Sequence, residues 1–92
     1  VNDEGLARDR AAQLRARGAG SAKITADLEA RGLPAALVGA AIEAARDGAS
    51  EREWARRALE RAGVAEPRRA WRLLAGRGFP EEVIADLLGE PA

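Results

Sequence analysis

Apolar residues return at three- and four-residue intervals along nearly the whole chain, and glycine or proline interrupts that pattern at short distances. The spacing predicts a first helix from a cap at Asn2 or Asp3 to about Arg17, with Leu6 or Ala7, Ala11 and Leu14 inward. Gly18 and Gly20 break it, and Ser21 offers the next cap. Ile24 and Leu28 line a second helix that ends at Gly32. Pro34 opens a third at or next to its first position, with a stripe of Leu37, Val38, Ala41, Ile42 and Ala45, and Gly48 closes it. Ser50 and Glu53 have capping-box spacing at the head of a fourth helix. Its inner side is Trp54, Ala58 and Ala62, or Ala55 and Leu59 beside them, and Gly63 ends it. Pro67 suits the first turn of a fifth helix carrying Ala70, Trp71, Leu73 and Leu74, with Gly76 in its last turn and Gly78 at its end. A sixth starts near Pro80, carries Val83, Ile84, Leu87 and Leu88, and stops at Gly89 and Pro91.

The pattern repeats. Arg31-Gly32-Leu33-Pro34 and Arg77-Gly78-Phe79-Pro80 each read as helix end, turn, core anchor and helix start. Leu28, Val38 and Ile42 around the first correspond to Leu74, Ile84 and Leu88 around the second. Leu14 and Gly18 correspond to Leu59 and Gly63 with the register shifted by one residue, an insertion or deletion in the intervening loop. The expectation is an all-α chain of two tandem three-helix units, residues 1–48 and 49–92, six short helices packed in series. Short helices are marginal alone in water, so each unit must close three stripes onto one core.

Composition narrows the chemistry. The chain has 92 residues, the size of one small domain. Hydrophobic residues make up 47%, but about half of these are alanine, so the anchoring falls to the few Leu, Ile, Val, Phe and Trp. Fifteen basic and fifteen acidic residues cancel, which argues against a polyanion binder driven by bulk charge but leaves room for a local basic face. Cys and His are absent, which removes a thiol nucleophile, thiolate ligands and the usual acid–base group near neutral pH. No catalytic constellation, phosphate-binding glycine loop or metal-ligand spacing is present, and a non-enzyme without cofactor or metal is expected. No apolar run approaches the about 20 residues of a membrane span and no signal peptide is visible, so a cytoplasmic, monomeric protein is the default expectation. The chain begins at Val1 and contains no Met, which suggests a processed chain or a fragment.

The ordered series of motifs resembles the RecX regulatory proteins of bacteria. Val1-Asn2-Asp3-Glu4-Gly5-Leu6-Ala7 is similar to that family's aliphatic residue, acidic pair, apolar residue and Ala. Arg17-Gly18, Ile24, Leu28 and Arg31-Gly32-Leu33 resemble its middle unit. Leu73-Leu74 and Arg77-Gly78-Phe79, with Val83 and Ile84, resemble its last unit. The resemblance implies tandem three-helix units that bind the RecA recombinase filament on single-stranded DNA. It implies restraint of ATP hydrolysis, strand exchange and co-protease activity in DNA repair, recombination and the SOS response. Two departures stand out: the family usually carries three units, so the first would be missing, and it often has serine where Pro34 and Pro80 stand.

Arg56, Arg57, Arg61, Arg68, Arg69, Arg72 and Arg77 make the densest basic region and are the candidate contacts to the filament or to its DNA phosphates. The plain alternative is a solvated face with local Glu–Arg pairs. Arg15, Arg17, Lys23 and Arg31 form a weaker cluster for which the solvated face is the better reading. Trp54 and Trp71 lie on apolar stripes and fit core or inter-unit packing better than recognition. Glu81 and Glu82 fit the first turn of a helix better than an acid–base or metal cluster with Asp86. Two other functions remain open: a helical nucleic-acid-binding module, and a purely structural helical interaction domain.

Overall fold

The computed structural model describes residues 3–89. Asn2 as a cap, Pro91 as a stop and Val1-Asn2 of the family-like opening lie outside the described residues. Six helices are present: α1 (Asp3–Ala16), α2 (Ser21–Ala30), α3 (Ala35–Arg46), α4 (Glu51–Ala62), α5 (Pro67–Gly76) and α6 (Glu81–Leu88). The all-α expectation is met, and no strand occurs among the described residues.

Local chemistry sets most of the helix ends. Ser50 caps α4, its hydroxyl accepting from the Glu53 amide at 3.1 Å. The box is only half made, because the Glu53 carboxylate turns to Arg56. Glu66 caps α5, its carboxylate accepting from the amides of Arg68 and Arg69 at 3.0 Å each. Those two amides hold the Glu66 carboxyl below its ordinary range. Pro34 and Pro80 are the N-cap residues of α3 and α6, one position before the helix proper. Ser21 does not cap α2. The N-cap is Gly20, and Ser21 is the first helical residue, because the second half of the chain takes over the capping (below).

α1, α2 and α3 pack on one another, and so do α4, α5 and α6. Placed in series they make a rod of 46 × 19 × 18 Å. The radius of gyration is 13.5 Å, against about 12 Å for a compact domain of this length. Ile24, Leu28, Leu74 and Ile84 are the largest wholly enclosed side chains, two in each triplet, and Leu28 and Leu74 hold matching places. Ala7 faces inward while Leu6 is exposed, which settles that pair of alternatives. On α4 the inner face is Trp54, Ala55 and Ala58, whereas Ala62 is exposed. The buried apolar residues of both triplets, Ala70 apart, form one continuous core. No helix among the described residues is long and apolar enough to cross a membrane.

Candidate anion-binding surfaces

The two triplets meet at a joint made from the α1–α2 turn, the inner face of α4 and the α5–α6 turn. The amides of Gly20 and Ala22 donate to the carbonyls of Arg77 and Gly78, at 2.7 and 3.0 Å. The amide of Ser21 between them donates to the Glu51 carboxylate at 2.8 Å. Three otherwise orphaned amides at the start of α2 are thus satisfied by the second triplet. Gly20 is required by this approach: a Cβ there would stand 2.6 Å from the Gly78 carbonyl oxygen and 2.7 Å from the Phe79 ring. The end of α1 is tied down in the same way. Arg61 Nη1 donates to the Ala16 carbonyl and Arg77 Nη1 to the Arg17 carbonyl, each at 2.9 Å. Guanidiniums at a helix C-terminus also suit the helix dipole.

Trp54 seals the joint. It is buried, the Arg15 guanidinium lies 4.7 Å from its ring centroid, and that of Arg46 lies 6.0 Å away. Arg46 in turn pairs with Glu51 at 3.2 Å. Trp54 is therefore an inter-unit packing residue, while Trp71 is half-buried against the core.

The arginines divide by partner. Arg8, Arg10, Arg31, Arg46, Arg52, Arg56 and Arg57 stand within ion-pair distance of a carboxylate. Arg15, Arg17, Arg61, Arg68, Arg69, Arg72 and Arg77 have no such pair among the described residues. The unpaired ones fall in two places. Arg68, Arg69 and Arg72 are exposed on α5, and Arg69 and Arg72 line a shallow groove of about 350 Å³ with Val64 and Leu73. Arg15, Arg17, Arg61 and Arg77 surround the joint, where Arg57 joins them. The densest basic region of the sequence is thus not one face. Arg56 is taken up by Glu53 and Glu60, and Arg57, Arg61 and Arg77 turn to the joint, away from the α5 strip.

The weaker cluster is divided as well. Arg15 and Arg17 reach the joint, Arg31 pairs with Asp27 at 2.9 Å, and Lys23 lies against Gly78. Asp27 also accepts two bonds from Arg10, at 3.1 and 3.0 Å, clipping α1 to α2. These partners, Arg10 first, hold the Asp27 carboxyl down to about 2.

Asp86 pairs with Arg52 at 3.0 Å, linking α6 to α4, and Glu81 and Glu82 lie exposed in the first turn of α6. No group of three or more acidic residues among the described residues is arranged to hold a metal ion. The residues missed in sequence were Gly20 and Glu51. Gly20 read only as a helix breaker and Glu51 was not singled out, since the Arg77 carbonyl that Gly20 binds and the Ser21 amide that Glu51 binds belong to the other triplet. Comparison with protein-family models, with curated proteins and with solved structures finds no match to this chain.

Proposed function

We propose that this chain is a non-catalytic regulatory module that docks on an acidic partner surface through the α5 strip, and that the partner is the RecA filament on single-stranded DNA. The observation that carries docking is the set of three exposed, unpaired arginines on one helix of a chain with no net charge. Arg68 and Arg72 are one helical turn apart, and Arg69 lies three residues from Arg72, so their guanidiniums can bind one partner surface together. The groove between Val64 and Leu73 adds apolar contact beside them. The identity of the partner rests on the resemblance to the RecX proteins. Seated along the filament, the rod would restrain ATP hydrolysis, strand exchange and co-protease activity by bracing neighbouring subunits.

The test is a salt titration of binding to RecA-coated and to bare single-stranded DNA, with the wild type and an Arg68→Glu, Arg69→Glu, Arg72→Glu variant. Binding to the filament alone, lost in the variant while its helicity persists, is the expected result. Unchanged filament affinity in the variant would sink the proposal. The same strip favours a second reading, direct contact with nucleic-acid phosphates, which predicts tight binding to bare DNA with a steep salt dependence.

A further inference from the structure

We propose that the joint between the two triplets is a binding site for a linked-phosphate anion, a pyrophosphate or triphosphate group, held by guanidiniums from both halves of the chain. Two adjoining cavities lie there, of about 240 and 230 Å³, sharing Gly18, Ala58 and Arg61. Arg15 and Arg57 line the first, Arg17 and Arg77 the second, and Arg61 stands between them. No acidic residue lines either cavity. The carboxylate in reach is Glu53, 3.7 Å from Arg57 Nε, and it is engaged more closely by Arg56.

The donors are in place and largely unspent. Arg61 and Arg77 each give one N–H to a carbonyl of the α1 end, and a guanidinium has five. At the wall of the first cavity the Arg15 guanidinium lies over the Trp54 ring, 4.7 Å from its centroid, which fixes its position there.

Charge selects the class of anion. Five guanidiniums drawn around one joint repel each other, and a single carboxylate offsets only one of them. Linked phosphates carry several negative charges on centres a few ångströms apart, which suits two cavities side by side, and guanidiniums bind phosphate oxygens in pairs. The amides of Gly20, Ser21 and Ala22 at the start of α2 contribute nothing, because they are already given to Arg77, Glu51 and Gly78. Since both triplets supply donors, an occupied site also braces the joint, and the anion should raise the unfolding temperature.

The test is a titration with inorganic tripolyphosphate, read by calorimetry and by Trp54 emission in a Trp71→Phe background. Saturable one-to-one binding that weakens with salt is expected, with a change in Trp54 emission. Arg57→Ala should weaken it about tenfold or more, and Arg17→Ala likewise. Arg8→Ala, which removes the same charge from an exposed pair with Glu4 on α1, should change it less than about twofold. The α5 triple reversal should bind tripolyphosphate as the wild type does, which separates this site from the filament surface. A nucleoside triphosphate that binds as tightly as tripolyphosphate would mark a nucleotide as the source, and one that binds more weakly would mark the free anion; both outcomes uphold the site. Absence of binding at millimolar concentration, or equal weakening by Arg57→Ala and Arg8→Ala, would overturn it.

Discussion

Arg77 Nη1 donates to the carbonyl oxygen of Arg17 at 2.9 Å, across the joint between the two triplets. The backbone of Arg77 returns the contact, its own carbonyl accepting from Gly20 at 2.7 Å. One residue thereby ties the end of α1 and the start of α2 to the second triplet. Removing its side chain in Arg77→Ala leaves the exposed Arg17 carbonyl to water and should cost up to about 1 kcal/mol, the net worth of the bond. Amide hydrogen exchange at Gly20 and Ala22 should quicken relative to Ile84, which sits deep in the second triplet.

Gly20 and Gly32 make a matched pair of substitutions. Gly20 has ordinary φ, and its lack of Cβ serves only the approach of Gly78 and Phe79. Gly20→Ala should destabilise by roughly 1–3 kcal/mol through overpacking at the joint. Gly32 has φ of 81°, but a Cβ there would meet nothing within 4 Å. Gly32→Ala should cost only the left-handed strain, about 1–2 kcal/mol, and leave the joint intact. Small-angle scattering of the two variants distinguishes them: only the Gly20 variant should lose its fixed rod dimensions.

Leu74 is wholly enclosed and Leu6 is 45% exposed. Chemical denaturation should give a loss of roughly 2–5 kcal/mol for Leu74→Ala, and within about 0.5 kcal/mol of wild type for Leu6→Ala. The first loss is a large part of the stability of a domain this small.

Asp27 sets an acid limit. Its carboxyl is depressed to about 2 by Arg10 and Arg31, from an ordinary value of 3.8. A depressed carboxyl contributes stability that is complete above its unfolded value and lost as pH falls through its folded value. Stability should therefore hold above about pH 5 and decline from there toward pH 2. Asp27→Asn should flatten that part of the profile in denaturation curves measured across it.

The helices were legible because their signals are local. Apolar spacing, Pro67, the Ser50 cap and the paired Arg-Gly-apolar-Pro turns each act within a few residues, and the helices formed close to where those signals put them. The cap of α2 was not legible. Ser21 is a good capping residue by type, yet its own amide is taken by Glu51 and those of Gly20 and Ala22 by the α5–α6 turn, which starts the helix at Ser21 with Gly20 as the cap. The arginine surface was half legible. Its residues were identifiable, but a run of basic residues in sequence says nothing of which carboxylates fold back onto them. Arg56 was spent on Glu53 and Glu60 one turn away, while Arg15 and Arg17, the weaker candidates, came to line the joint.

The sequence by itself determined six helices, their order and the likeness of the two halves, because helix periodicity, capping and turn chemistry are properties of neighbouring residues. Only the tertiary structure decided that the two Arg-Gly-apolar-Pro turns differ in use. The turn at 77–80 is locked into the joint, while a Cβ on Gly32 in the turn at 31–34 would meet nothing. Packing also decided which arginines stay unpaired. Both outcomes depend on groups brought together from residues tens of positions apart, where distance along the chain no longer governs distance in space.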